Sequence, residues 1–378
     1  DAGADAFNIG IGFNAGTSVS NGIRNIIIGG NAGDALTTAN DNTIIGYNAG
    51  TAMISSAESV LIGKDAGLSL TTGHYNVAIG DSALNTEDSG GKNVAIGKSA
   101  LASLNAGGDG NNVAIGYRAG LNMSTGLHNV IVGSEAGDAL TSGLRNVAIG
   151  WDALGVENTG SKNVAIGHTA LQDLDYDGDG LNTAVGYAAG ANVSTGINNT
   201  LVGANAGLTT TVGVKNVFVG SSAGYTNVDG SKSVGIGFEA LKVQEPSGAT
   251  DCYNIGIGET AGVALSTGIK NISIGGASSA TLTTGSNNIT IGHSTDVSAS
   301  GATNQVVIGY DTAGISDNSV MLGNASTTLW HPADDNGVDL GSTAYSFKDT
   351  YIQGSLKIGD TSGSTYFEFP TTIGTSGQ

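Results

Sequence analysis

The sequence predicts an all-β repeat fold, a β-solenoid or parallel β-roll, and three observations carry that prediction. A glycine closing an Ile-Gly, Val-Gly or Leu-Gly pair recurs nineteen times from Gly12 to Gly323, mostly at a spacing of 17 residues. Glycine supplies 63 of the 378 residues but proline only three, too few for collagen or a proline-rich linker. The apolar residues are mainly Ala, Val and Ile, and aromatics make up only 5%. Short stacked strands joined by tight turns suit that composition, whereas a large globular core leans on rings.

The anchors run Gly12, Gly29, Gly46, Gly63, Gly80, Gly97, Gly116, Gly133, Gly150, Gly167, Gly186, Gly203, Gly220, Gly237, Gly258, Gly275, Gly292, Gly309 and Gly323. The spacing departs from 17 only in two steps of 19, one of 21 and a last of 14. Before each anchor sits Ile, Val or Leu, and two residues further back Val, Ile or Thr, as in Val77 and Ile79. That i, i+2 spacing puts both side chains on one face of a strand. The residue between them is often alanine (Ala78, Ala95, Ala114), which suits a crowded opposite face. Four before the anchor, Asn occurs in 15 of the 19 coils, among them Asn25, Asn76, Asn93 and Asn146, so a ladder of stacked amides is expected. Three after the anchor comes Ala, from Ala15 to Ala261. Seven before it stands a turn glycine such as Gly73, Gly90 or Gly126.

A longer period lies over the first. Extended coils end at Gly116, Gly186 and Gly258, 70 and 72 residues apart. Four after the anchor the residue changes in order: Gly50, Gly67, Leu84, Leu101, then Gly120, Gly137, Leu154, Leu171, and then Gly190, Gly207, Gly224, Leu241. Four coils therefore form one duplicated unit, with a bulge expected at every fourth coil. Nineteen coils at about 4.8 Å each make a rod on the order of 85–90 Å.

The formal net charge of −19 is set against nucleic acid and anionic membranes, so no nucleic-acid partner and no membrane insertion are expected. Acidity of this kind keeps a long rod soluble. Cys252 is the single cysteine and excludes an intrachain disulfide. The chain has no run of 18 apolar residues and no leader pattern. It enters its repeat by Asn8, so further sequence is expected upstream.

Each coil is expected to bury about four apolar side chains: the Val and Ile of the strand, one Ala, and one Leu, Val or Met such as Leu70 or Met123. Ordering a residue costs roughly 1–2 kcal/mol of backbone entropy, and burying one Val or Ile returns about 1.5–3 kcal/mol. So thin a coil sits near balance alone. Lateral joining of chains adds a second buried face, and an elongated homotrimer is the expected assembly.

The Asn-Val-Ala-Ile-Gly runs at 76–80, 93–97, 112–116, 146–150 and 163–167 resemble the head repeats of YadA-type trimeric autotransporter adhesins. The longer coil, with Ala-Gly and Leu-Thr-Thr-Gly before that run, is similar to repeats of phage tail fibres. The resemblance covers about residues 8–323 and implies left-handed parallel β-rolls assembled as trimers. Adhesin heads run shorter coils, which leaves the cross-section open. Residues 324–378 leave the repeat and gain Trp330, His331, Pro332, Tyr345, Phe347, Tyr351, Phe367 and Phe369. The stretch from Asp339 to Leu356 resembles a segment of tail fibres and tailspikes that precedes a self-cleaving intramolecular chaperone. Two regions are thus expected: a repeat shaft or head over 1–323, and a β-rich C-terminal tail-fibre segment over 324–378. The chaperone itself is not among these residues.

Candidate chemistry is sparse. Asp173, Asp175, Asp177 and Asp179 alternate around Gly178 like the start of a calcium loop, because a hard cation takes six to eight oxygens. The closing acidic ligand is replaced by Ala184, and the equivalent inserts keep only Asp109 and Asp251. The competing reading is a solvated acidic turn; calcium is the one cofactor the sequence suggests. His74, His128, His168, His293 and His331 show no metal-ligand spacing. Glu239 and Glu259 could form the carboxylate pair of a glycosidase, but they stand in separate turns without an aromatic groove. Gly10-Ile-Gly12 lacks the strand–loop–helix context of a phosphate loop. No enzymatic activity is expected.

The expected function is a structural and adhesive extracellular fibre: a virion component resembling a phage tail fibre, bound to other tail proteins and attaching to a host cell-surface glycan or protein receptor. The nearest rival is a bacterial trimeric surface adhesin or extracellular filament. A repeat lectin or ice-binding module, using the Thr-rich turns at Thr37, Thr38, Thr71, Thr72, Thr209, Thr210, Thr211, Thr283 and Thr284, ranks below both.

Overall fold

A computed structural model describes residues 6–330 apart from Ser247 and Ala249. Two compact units meet in sequence at Ser326 and Thr327. The expected C-terminal segment lies, from residue 331 onward, outside the described residues. The first unit is a parallel β-solenoid, and no helix occurs among the described residues.

Each Val-x-Ile motif forms a three-residue strand, from Ile9–Ile11 to Val320–Leu322, and each strand pairs in parallel with the next to build one 19-stranded sheet. Register follows the anchors: Val77, Ala78 and Ile79 lie opposite Val94, Ala95 and Ile96. Extended coils keep it, since Val94 still pairs with Val113. Extra residues are expelled into the turns, where Gly230–Ser231 pairs with Thr250–Asp251 and Ser161 bridges Asp179. The turns hydrogen-bond between coils as the strands do; Ser82 N–H donates to Lys64 O and Lys92 N–H to His74 O, at 2.9 and 3.0 Å. Such stacking satisfies the backbone groups that a loop otherwise leaves to water.

The anchors must be glycine for two reasons. Gly80 has φ +137°, and a Cβ on it would lie 2.5 Å from the carbonyl oxygen of Gly97 in the next coil. Any side chain would pry the coils apart.

The strand faces are the reverse of the expected ones. The middle residue points inward and is fully buried, as at Ala78, Ala95, Ile131, Leu201 and Phe218. The flanking Val and Ile point outward and stay partly exposed, as at Ile26, Ile115 and Ile236. The core of a coil is therefore the middle strand residue, the Ala three after the anchor, and the Leu, Met or Val seven after it. The physical reason is room. Inside so narrow a coil, positions facing the opposite turn take small or single large side chains, while a β-branched pair fits the open outer sheet.

The four-coil period is a volume code in this core. Where the middle strand residue is large (Ile27, Ile44, Leu61, Ile131, Leu201, Phe218), the position four after the anchor is Gly. Where that position is Leu (Leu84, Leu101, Leu154, Leu171), the middle residue is Ala. In the coil after Leu101 both are small, because the Leu101 side chain leans into the space a Cβ on Gly120 would need, 2.9 Å away. Leu171 and Leu241 lean the same way toward Gly190 and Gly262.

The asparagine ladder runs through this interior, and its members from Asn25 onward are buried. Asn42 shows the pattern: its backbone N–H donates to Asn25 Oδ1 at 3.1 Å, and its Nδ2 donates to Asn25 Oδ1 at 3.0 Å and to Ser56 O at 2.9 Å. Asn42 thus ties its own coil to both neighbours, and along the ladder the bond from the next coil's backbone N–H recurs more regularly than amide-to-amide contact; Asn93 Nδ2 instead donates to Gly91 O of its own coil at 3.1 Å. Ser233 interrupts the ladder; there Gln244 bridges Asn227, Ser233 and Asn254 at 2.8–3.2 Å.

Candidate functional site

The inversion of the strands leaves a continuous apolar surface outside. Among the two outward positions on each strand of the 19-stranded sheet, only Thr43, Thr183 and Thr200 are not Val, Ile or Leu. Two outward side chains on a strand stand about 7 Å apart, and eighteen strand spacings cover roughly 86 Å, so the stripe occupies on the order of 600 Å². Soluble monomers seldom leave a contiguous apolar patch that large without a use for it.

Two rims border the stripe. On its N-terminal side, five before the anchor, the chain turns through a left-handed residue such as Arg24, Glu58, Arg145 or Lys162 (φ 54–61°). On its C-terminal side the residue after the anchor carries exposed rings: Phe13, Tyr47, Tyr117, Trp151, Tyr187, Phe238 and Tyr310. His168 sits between Trp151 and Tyr187, with ring centroids 4.7 and 5.2 Å away. A residue-by-residue reading along the chain hides this aromatic row; reading each coil position as a column reveals it.

The calcium candidates are not gathered. Among the described residues no group of three or more His, Cys, Asp or Glu side chains is placed to hold a metal ion. Asp179 is paired with Lys162 Nζ at 2.5 Å, and Asp177 accepts a short hydrogen bond from Thr159 Oγ1. Asp173 and Asp175 do not complete a cage with them. The geometry instead gives the inserts a different role. Asp109 pairs with Lys92 and Asp251 with Lys232, at 2.6 and 2.5 Å, so all three inserts place one Asp over the Lys of the preceding coil. The Lys232 hydrogen bond holds the Asp251 carboxyl below its usual range.

Beneath the first two inserts lies a buried carboxylate in the inward column that mostly holds Leu, Met or Val. Glu87 accepts from the amides of Gly90 and Ala106 at 2.7 and 3.1 Å, the second reaching into the insert. Glu157 accepts from Gly160 and Asn158 at 2.7 and 3.0 Å. Burial pushes both carboxyls up, partly offset by these amides. Nothing in the sequence pattern marked them, since a Glu in a turn reads as solvated.

The remaining candidates occupy structural places. Glu239 is held by Lys242 at 2.7 Å, and Gly10 stands in the middle of a strand. Cys252 is buried, which pushes its thiol up. His74 Nδ1 accepts from Ala57 N–H at 3.0 Å, and His293 stacks on Tyr310; His331 lies outside the described residues. The Thr-rich turns spend their hydroxyls on the next coil: Thr37, Thr71, Thr211 and Thr283 Oγ1 donate to carbonyls of Ile54, Asp88, Val228 and Ser300 at 2.8–3.2 Å.

No family model matches the chain, and a search of curated proteins finds no match to it.

Proposed function

We propose that this chain is a structural and adhesive segment of an extracellular fibre, of the phage tail-fibre kind, and that three copies join along the Val/Ile stripe to make it. The observation that carries this reading is the stripe itself: an apolar surface, broken only by Thr43, Thr183 and Thr200, on the outer face of the 19-stranded sheet of a solenoid whose interior is already filled. Threefold closure around that surface buries it on every copy with one repeated contact. The acidic, hydrogen-bonded exterior of the other faces suits a rod exposed to the medium, and the exposed rims leave side chains for a host glycan or protein receptor.

A bacterial surface adhesin or extracellular filament would use the same rod and is the second reading; the same Asn-Val-Ala-Ile-Gly runs favour it equally. The ice-binding alternative loses ground, because five of the threonine hydroxyls it needs are committed to neighbouring coils. Native mass measurement tests the assembly, and binding of the purified chain to candidate host cells tests the adhesion. Trimers that decorate cells support the proposal. A stable monomer removes its basis.

A further inference from the structure

Once the coils are stacked, a matched set of buried residues lies beneath each insert. Seven after the anchor of the coil before the insert stand Glu87, Glu157 and Asn227, 70 residues apart. Seven after the next anchor stand Leu104, Leu174 and Gln244, and two further on Ala106, Tyr176 and Pro246. The residues of the first two columns are all buried. The three columns change together. Where the third position has an N–H, the first is a carboxylate: Glu87 Oε2 accepts from Ala106 at 3.1 Å, and the Tyr176 amide likewise favours the Glu157 carboxylate. Pro246 has no N–H to give. There the carboxylate is replaced by Asn227, whose Oδ1 accepts from Gln244 Nε2 at 2.8 Å, and Gln244 takes the place of a leucine to make that bond.

We propose that Glu87 and Glu157 are proton-operated latches on the first two inserts, seating them as the pH falls and loosening them as it rises. The amide pair seats the third insert independently of pH.

The surroundings of the two carboxylates set this direction. Burial opposes their charge, and the charged groups acting on them add to that opposition, Asp88 on Glu87 and Asp175 on Glu157. Glu157 Oε2 is buried without a full hydrogen bond among the described residues. The ionisable side chains of the adjoining turns are engaged elsewhere. Lys92 and Lys162 are held at the surface by Asp109 and Asp179, at 2.6 and 2.5 Å. His74 accepts from Ala57 N–H, and Asp177 from Thr159 Oγ1. An insert lifted into water returns its glutamate to solvent, where the charge is easily carried. The acid therefore binds its proton more tightly with the insert seated than with it lifted. Seating is full at low pH and weakens as the pH rises through the seated value. The Lys–Asp pair at the far end of each insert recurs in all three, Lys232–Asp251 included, and so does not distinguish them.

Hydrogen exchange of the full chain from pH 4 to pH 8, corrected for the intrinsic pH dependence of exchange, tests the latches. Gly110, Gly180 and Cys252 provide equivalent reporters, because their amides donate to Gly91, Ser161 and Ser231 O at 2.9, 3.0 and 2.9 Å. Protection of Gly110 and Gly180 is expected to fall with rising pH, by up to about tenfold per pH unit, the ceiling for one linked proton. Protection of Cys252 is expected to stay level. The Glu87→Gln/Glu157→Gln variant is expected to level the first two as well. The comparison among the three inserts of the parent chain needs no variant to fold. Three inserts that respond alike, none that responds, or a pH dependence that survives in the glutamine variant would overturn the proposal.

Discussion

Converting one coil of the solenoid from its large-middle form to its leucine form tests the volume code directly. Ile131 and Gly137 belong to the coil ending at Gly133; Ile131 is fully buried, and a Cβ on Gly137 would meet Ile131 Cδ1 at 3.3 Å. Ile131→Ala alone leaves a cavity in a filled core and is expected to cost about 2–5 kcal/mol. Gly137→Leu alone drives its side chain into Ile131, costing about 1–3 kcal/mol of overpacking. It also adds roughly 1–2 kcal/mol for a leucine in the left-handed region, where Gly137 sits at φ +50°. Together they reproduce the Ala148–Leu154 arrangement of the following coil, whose Leu154 adopts φ +57°. The double variant should therefore keep only the backbone cost, about 1–2 kcal/mol. That implies a favourable coupling of about 3–8 kcal/mol, the cavity and overpacking costs that the double variant avoids. Hydrogen exchange of the amides in this coil and its two neighbours reads the effect locally, which matters because repeat arrays need not unfold as one unit. A double variant as unstable as the sum of the two singles would refute the volume argument.

Three further outcomes are expected. Asn146→Ala should cost about 1–3 kcal/mol, because it strips the Asn163 N–H of its acceptor and the Gly160 carbonyl of its donor; faster exchange confined to the amides around Asn163 checks it. Gly80→Ala should disrupt stacking between its coil and the next, since its Cβ would lie 2.5 Å from Gly97 O at φ +137°; a lowered melting temperature with raised exchange on both sides of the joint is the readout. Glu87 and Glu157 have carboxyls raised by burial. For an acid raised on folding, the folded state holds the proton more tightly, so its contribution is full below the unfolded value and is lost as pH rises through the folded one. The wild-type chain should therefore lose stability with rising pH across that window, and the Glu87→Gln/Glu157→Gln variant should lose less, in melting curves taken from pH 4 to pH 7.

Much of this fold is legible in the sequence because its constraints are local and repeated. The anchor glycines are required by a left-handed corner and a close carbonyl, so they recur at every coil and give the period away. The Asn present in 15 of the 19 coils is buried from Asn25 onward and bonded between coils, and its column stands out for the same reason. The direction of the strand was not legible from alternation alone. Val77 and Ile79 look like core residues, and Ala78 like a spacer, until the narrow interior is known to hold Ala78, Ala83 and Leu84. The Gly-to-Leu sequence four after the anchor was visible as a pattern but not as a cause; its cause is a leucine leaning into the neighbouring coil. The four aspartates of the 173–179 insert matched a spacing, yet Lys162 and Thr159 from the coil before engage two of them, contacts that a motif in one stretch of chain does not contain. The rims were missed because their meaning lies across coils, in columns of residues 17 positions apart.

The central claim is that the outward Val/Ile stripe is an interface among copies of this chain. Sedimentation equilibrium of the full chain, repeated with outward Val147 and Ile149 changed to Lys, tests it most directly. The account predicts a particle of three times 37.2 kDa for the parent, and for the variant a shift toward the monomer with the solenoid's circular dichroism retained. A parent chain that sediments as a monomer at every concentration would contradict it.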